Sequence, residues 1–207
     1  NTALTRHARD LYGTALRAHH SLLQKSGSES DITVHMVSTS VLLSFFEAMQ
    51  ATTADAYRAH IYGAAKMLEV TGPGECAHGV LCQLFYHIRT QVLFVQLAST
   101  HSSIPVSAKR ILYDTLLYKR PPLIQRLMCC IAALQELHAA ASDTEQRNED
   151  SLGWLRLQVD RLWSECSQQR GEGPDRHGTT AETGLFSDAF TALTVAFFCS
   201  AYILLAV

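Results

Sequence analysis

The sequence lacks the features that mark several common classes of protein. It has 17 Lys and Arg against 19 Asp and Glu, for a net charge of −2. The basic residues also form no block that could neutralise a run of phosphates. It also has no GxSxG turn, no cysteine in a recognisable nucleophile motif and no phosphate-binding loop. These absences argue against a DNA-contacting surface and against an enzyme. We predict no catalytic residue.

Metal-binding patterns are absent as well. The six cysteines form no CxxC pair, and no histidine stands at metal-ligand spacing from them. Adjacent His19 and His20 point about 100° apart on a helix, so they do not easily share one ion and are predicted to lie at the surface. We therefore predict no metal and no cofactor. The cysteines stand mostly among apolar residues and are predicted to be reduced core thiols of an intracellular protein. They are Cys76, Cys82, Cys129, Cys130, Cys166 and Cys199.

What the sequence does have is helical periodicity from end to end. With 47% hydrophobic and 17% charged residues, 207 residues are enough for one well-buried domain. No segment alternates like a strand, so we predict an all-α array of about eight antiparallel helices in a single domain, 1–207. The segment RGEGPDRHGTTAETG, Arg170 to Gly184, is predicted to be a flexible linker. The helices are predicted at 5–25, 31–51, 54–71, 76–100, 107–118, 121–141, 143–169 and 185–207.

The last predicted helix is long and apolar enough to raise the question of a membrane. Residues 189–207 contain no charge, a length that approaches a membrane span. Positive anchors are missing on both sides, and Asp188 stands at the entrance. We therefore predict a buried core helix, in a domain cut short after Val207, and no membrane partner, and keep a membrane-anchored adaptor as a third interpretation.

The most informative stretch is AYRAHIYGAAKMLEVTGPG, residues 56–74. Its apolar residues recur at helical spacing and form one stripe, and Gly72 followed by Pro73 predicts a helix stop. The stretch is therefore predicted to be a packed helix with a sharp end. The stripe consists of Tyr57, Ile61, Ala64 and Leu68.

The order of residues in this stretch resembles the regulatory, or middle-homology, domain of fungal transcription factors of the binuclear zinc cluster family. The resemblance extends over residues 5–98 and is thin afterwards, and Tyr57 stands where the family usually has Trp. It implies a nuclear, non-enzymatic domain that receives a small-molecule or protein signal. DNA would be bound only by a cysteine-rich, basic segment outside this chain. The residues that carry it are Tyr57, His60, Gly63, Ala64, Gly72 and Pro73, extended by Tyr12, Ala15, Leu16, Ser30, Asp31, Glu47, Phe85 and Arg89.

Two charges stand alone in long uncharged segments. Glu47 is the only charged residue from 32 to 54, and Arg89 the only one from 76 to 108. Because a helix that is apolar on all faces is expected to be buried, each charge needs a partner in the interior. We predict that Glu47 and Arg89 pair with each other and that His60 completes the cluster.

This cluster has two interpretations. It is either a structural ion pair that ties three helices together, or the lining of a cavity that orients a small polar ligand. Aromatic side chains on the same helices favour core packing but also line ligand pockets. The candidate ligand-binding residues are Glu47, Tyr57, His60, Tyr86 and Arg89.

An alternative function follows from the second interpretation. The chain would then be a stand-alone, cytoplasmic relative of the regulatory domain that binds a small metabolite or acts as a cofactor-free isomerase or cyclase. Glu47, His60 and Arg89 would supply the acid, the base and the orienting group. Under either function, the amphipathic segment 143–169 is predicted to expose a face that serves a homodimer or a coregulator protein.

Overall fold

A computed structural model of the chain describes residues 2–25, 32–50, 53–98, 105–113, 121–139, 145–171 and 189–206. Helices account for nearly all of these residues and no strand occurs among them, so the predicted all-α fold is confirmed. The predicted linker lies almost wholly outside the described residues.

Eight α-helices and one short 3-10 helix make up the described part of the chain. Their bounds agree with the predicted helices to within a few residues at most ends, as expected when periodicity is the signal. The helices are α1 Thr2–Lys25, α2 Val34–Gln50, α3 Ala54–Thr71, α4 Gly79–Ala98, α5 Val106–Tyr113, α6 Leu123–Ala139, α7 Glu145–Gly171 and α8 Ala189–Ala206, with the 3-10 helix at Glu75–Ala77.

The chain divides into two compact units. The N-terminal unit, residues 1–119, contains α1 to α5, and the C-terminal unit, residues 120–207, contains α6 to α8. That the two units form the single domain inferred from the sequence stays a prediction.

Helix α3 lies at the centre of the N-terminal unit, packed against α2, α4 and α5. Its N-terminus is capped by the Thr53 hydroxyl, which accepts from the Ala56 N–H at 3.1 Å. At the other end Gly72 adopts a φ of 83° and its N–H donates to the Leu68 carbonyl at 3.1 Å, a conformation that favours glycine. The predicted helix stop is therefore confirmed.

One face of α3 supplies much of the core of this unit. Ile61, Ala64 and Leu68 are buried as the apolar stripe predicts, while Tyr57 is half-buried at its edge. By contrast α1 packs mainly against α2 and reaches α3 through the Tyr12 side chain, and much of its surface is exposed, including Leu4 and Leu22. The unit therefore has a tightly packed centre and a loosely covered N-terminal helix.

The C-terminal unit is a packing of three helices, in which α6, α7 and α8 contact one another. The ring of Trp163 packs edge-to-face on that of Phe198, with centroids 5.0 Å apart, and joins α7 to α8. The Arg126 guanidinium forms an ion pair with Glu165 at 2.5 Å and joins α6 to α7. Helix α7 buries Leu155, Val159 and Leu162 but exposes Trp154 and Leu157, so the apolar residues of its predicted amphipathic pattern are divided between a buried and an exposed face.

The last helix is only partly buried among the described residues, and that it lies in the core of a longer domain stays a prediction. Helix α8 has a mean hydropathy of 2.0, yet only 22% of it is buried. One face of α8 is buried against its neighbours, while Phe190 and Ile203 are largely exposed. By length and composition the helix could cross a membrane, but one such helix is weak evidence for a membrane. Its buried residues are Thr194, Phe197, Phe198 and Ala201.

Polar side chains from α6 and α7 bind the free backbone carbonyls at the C-terminal end of α8. The His138 ring lies 2.6 Å from the Leu204 carbonyl, and Arg156 donates to the Leu205 carbonyl at 3.1 Å. These carbonyls stand in the last turn, where no helical N–H remains to bind them. Both partners are basic residue types, which suits the negative end of the helix dipole.

Candidate functional site

Three helices of the N-terminal unit meet at one polar cluster. Tyr12 of α1 donates its hydroxyl hydrogen to the carboxylate of Glu47 in α2, and the same hydroxyl lies 3.1 Å from Nε2 of His60 in α3. The Glu47 side chain is only 6% exposed, and the other two are half-buried. We call Tyr12, Glu47 and His60 the Tyr12 cluster. The hydroxyl oxygen of Tyr12 contacts side chains of both other helices.

The protonation states of the cluster follow from burial and from the carboxylate. Burial, together with the hydrogen bond and the charge of Glu47, raises the pKa of Tyr12 to about 12, so the phenol stays protonated. Burial lowers the pKa of His60, while the negative charge of Glu47 opposes that effect. The cluster therefore combines a protonated phenol, an imidazole whose charged form is disfavoured by burial, and the acceptor oxygen of Glu47.

A second polar contact lies two helical turns further along α1. Nε2 of the His19 ring is 2.9 Å from the Ser40 hydroxyl, and both side chains are buried. Burial, and to a lesser degree the proximity of His60, lowers the pKa of His19. Its other ring nitrogen, Nδ1, is buried without a hydrogen-bond partner in the structure. The prediction that His19 lies at the surface is therefore wrong.

Arg89 is buried as predicted, with 1% exposure. Its Nε and Nη2 both donate to the carbonyl of Leu112, at 2.9 and 2.6 Å. This carbonyl lies in the last turn of α5, at the negative end of the helix dipole. Arg89 therefore ties α4 to the end of α5, while Tyr12 connects Glu47 to His60. The pairing of Arg89 with Glu47 stays a prediction.

The remaining two candidate residues make separate contacts. The Tyr57 hydroxyl donates to Oε1 of Gln91 at 2.5 Å and links α3 to α4, while burial raises the pKa of Tyr57. Tyr86 packs edge-to-face on Phe85 in the same helix, with ring centroids 5.5 Å apart. Of the five candidates, the structure thus connects Glu47 and His60 through one hydroxyl. A ligand-binding role for any of the five stays a prediction.

Sequence reasoning named Tyr12 only through the resemblance and did not place it beside Glu47. A signal was present, because Tyr12 and His19 are seven residues apart and so lie on one face of a helix. That spacing identifies a polar face but not the helix that covers it. Among the described residues, no group of three or more His, Cys, Asp or Glu side chains is arranged to hold a metal ion.

Comparison with protein-family models, with curated proteins and with solved structures finds no match to this chain.

Proposed function

We propose that this chain is the regulatory domain of a fungal transcription factor of the binuclear zinc cluster type. It receives a small-molecule or protein signal and controls transcription, and DNA is bound by a segment outside residues 1–207. The observation that supports this function best is the Tyr12 cluster, which joins three helices of the region that carries the family resemblance.

The positions of that resemblance have structural tasks that agree with the proposal. His60 contacts Tyr12, and Tyr57 contacts Gln91, so the aromatic residue and the histidine of the motif each hold a neighbouring helix to α3. Gly72 and Pro73 end α3 at a backbone conformation that favours glycine. These tasks explain why such residue types recur at this spacing without any catalytic role.

The cluster also offers a way for a signal to act. Helix α1 is largely exposed and its backbone lies next to α2 alone among the described helices, so the contacts of Tyr12 with Phe46, Glu47 and His60 are an important part of its attachment. An effector that binds one state of the α1 attachment better than the other shifts the equilibrium between the two states. In this proposal the hydrogen bonds of the Tyr12 cluster are formed in one of the two states and broken in the other.

The first test is the coding sequence on either side of this chain. We expect six closely spaced cysteines with basic residues upstream of Asn1, because DNA binding needs a segment that residues 1–207 do not supply. A start codon close to Asn1, with no such cluster on either side, would contradict the proposal.

A reporter experiment tests regulation directly. Residues 1–207 are placed between a heterologous DNA-binding domain and an activation domain and expressed in a fungal host. We expect lower reporter output than from the same fusion without the chain, because a regulatory domain restrains activation until its signal arrives. Equal output from the two fusions would count against this function.

Two variants connect that result to the Tyr12 cluster. Glu47→Gln weakens the hydrogen bond from Tyr12 and is expected to raise reporter output, whereas Glu75→Gln makes the same chemical change at an exposed residue and is expected to leave it unchanged. Thermal unfolding of both purified variants shows whether Glu47→Gln still folds. An equal response of the reporter to both variants would remove the cluster from the mechanism.

The second candidate function is a cofactor-free isomerase or a metabolite-binding protein. It is favoured by one observation: the Tyr12 hydroxyl contacts a carboxylate and an imidazole, a set of groups that can move a proton. Isomerisation next to a carbonyl begins with proton removal, so small hydroxyketones in D2O would take up deuterium in the presence of the chain. Uptake that is lost in Tyr12→Phe would favour this function, and uptake equal to that in buffer would exclude it for these probes.

A further inference from the structure

A cavity of about 350 Å³ lies in the C-terminal unit, where the start of α6, the last turns of α7 and the start of α8 come together. We propose that it binds a neutral, largely apolar small molecule. The site is separate from the Tyr12 cluster, and the proposal does not depend on a role in transcription. Its walls include Leu123, Ile124, Cys166, Gln169, Phe190 and Thr191.

The lining of the cavity indicates the class of ligand. Among the described side chains that line it none is charged, and these walls are predominantly apolar. A charged ligand would lose hydration against such walls, whereas an apolar one gains about 25 cal/mol for each Å² removed from water. The Gln169 amide can form a hydrogen bond with one polar group of the ligand. The volume falls within the range of about 300–1,000 Å³ that is usual for small-molecule sites.

Contacts around the cavity hold its walls in place without a ligand. The ion pair of Arg126 and Glu165 joins α6 to α7 next to the lining residue Cys166. On the other side, Trp163 packs on Phe198 and joins α7 to α8. The Thr194 hydroxyl, at the cavity wall, donates to the Phe190 carbonyl at 2.8 Å. The cavity is therefore a preformed site, as small-molecule sites usually are.

A second concavity in the same unit has different chemistry and serves as a control. It is larger, about 610 Å³, and more open, and its lining includes Glu136 and Asp150 beside the exposed Trp154. Two carboxylates and an open mouth suit a neutral apolar molecule less well. A substitution in this groove therefore controls for nonspecific effects of a larger side chain.

The first experiment uses N-phenyl-1-naphthylamine, a neutral apolar dye whose fluorescence rises in apolar surroundings. We expect saturable binding to the full chain, weakened by about tenfold or more in Thr191→Met, because the longer side chain occupies the cavity; tenfold corresponds to about 1.4 kcal/mol. Ala133→Met adds the same side chain in the open groove and is expected to leave binding unchanged. An equal effect of both substitutions, or of neither, overturns the proposal.

The second experiment needs no variant, so it tests whether the dye binds in this cavity even if Thr191→Met does not fold. N-ethylmaleimide alkylates the cysteines of the native chain with and without the dye, and mass spectrometry follows each site. Cys166 lines the cavity and is buried, so its alkylation in the native chain is slow and is followed over a long incubation. The dye is expected to slow it further and to leave Cys199, which is exposed on α8, unchanged. Protection of neither residue, or of both equally, overturns the assignment of the dye to this cavity.

Discussion

Helices α4 and α8 look alike in composition and differ in their surroundings. Both are long and almost free of charge, but α4 buries seven residues, among them Arg89, whereas α8 buries four and exposes Phe190 and Ile203. Helix α4 packs against α2, α3, α5 and the 3-10 helix, whereas α8 packs against α6 and α7 among the described elements. A charge in an apolar helix requires partner groups from other elements, and the elements that supply them also cover the helix. Apolar composition alone does not predict how much of a helix is covered.

The interiors of the two units differ in the same way. The N-terminal unit buries Glu47, His19 and Arg89 and binds each to a group on another helix. The C-terminal unit joins its helices by the Arg126–Glu165 ion pair, by hydrogen bonds from His138 and Arg156 to α8 and by aromatic packing, and it contains an apolar cavity. Polar contacts join helices in both units. Those of the N-terminal unit include fully buried side chains, whereas those of the C-terminal unit involve half-buried or exposed ones.

The largest expected effect concerns the two faces of α8. Phe198→Ala removes a side chain with 1% exposure and is expected to lower the free energy of unfolding by about 3–5 kcal/mol. Ile203→Ala shortens a side chain that is 64% exposed and is expected to change it by less than about 0.5 kcal/mol. Urea unfolding followed by tryptophan fluorescence measures both, because Trp154 and Trp163 lie in the C-terminal unit. Equal losses would mean that the exposed face of α8 is covered in solution.

The next effect tests the lone charge of α4. Arg89→Met leaves the Leu112 carbonyl without the two hydrogen bonds from the guanidinium, and we expect a loss of about 2–4 kcal/mol in unfolding free energy. Arg110→Met makes the same change at a side chain that is 69% exposed, where its ion pair with Glu69 contributes about 0–1 kcal/mol. Circular dichroism during urea unfolding measures both losses. Similar values for the two variants would show that the buried Arg89 contributes no more to stability than an exposed arginine.

The smallest expected effect is a pH dependence of the N-terminal unit. Burial lowers the pKa of His19, His60 and His87, with Glu47 opposing the effect at His60. The unfolded chain therefore binds more protons than the folded chain below about pH 6.5. The stability that these residues contribute is fully present above that pH and is lost as the pH falls through their folded pKa values.

The measurement is urea unfolding at a series of pH values from neutral to mildly acidic. His19→Asn is expected to reduce the loss of stability on acidification, because it removes one of the buried imidazoles. His20→Asn, at the exposed neighbouring position, is expected to leave the pH dependence unchanged. A pH profile that is the same in both variants and in the unmodified chain would show that the interior histidines are not the cause.

Much of this fold was accessible from the sequence because helical periodicity is a local property. The stripe Ile61, Ala64 and Leu68 and the stop at Gly72 depend on residues within a few turns of each other, and the structure confirms them. The burial of Glu47 and Arg89 was also predictable, because each stands alone in an apolar helix. The contacts of Glu47 with Tyr12 and of Arg89 with Leu112 were not predictable, since these pairs are distant in sequence and carry no pairing signal of their own.

The sequence by itself therefore determined that the chain is helical, where most of its helices begin and end, and which charged residues must be buried. Only the tertiary structure decided that a tyrosine connects Glu47 to His60, that Arg89 binds the end of α5, and that α8 is buried on one of its faces. The physical reason is the range of the interactions. Helix formation follows from contacts a few residues apart, whereas the partner of a buried group depends on which helices pack together.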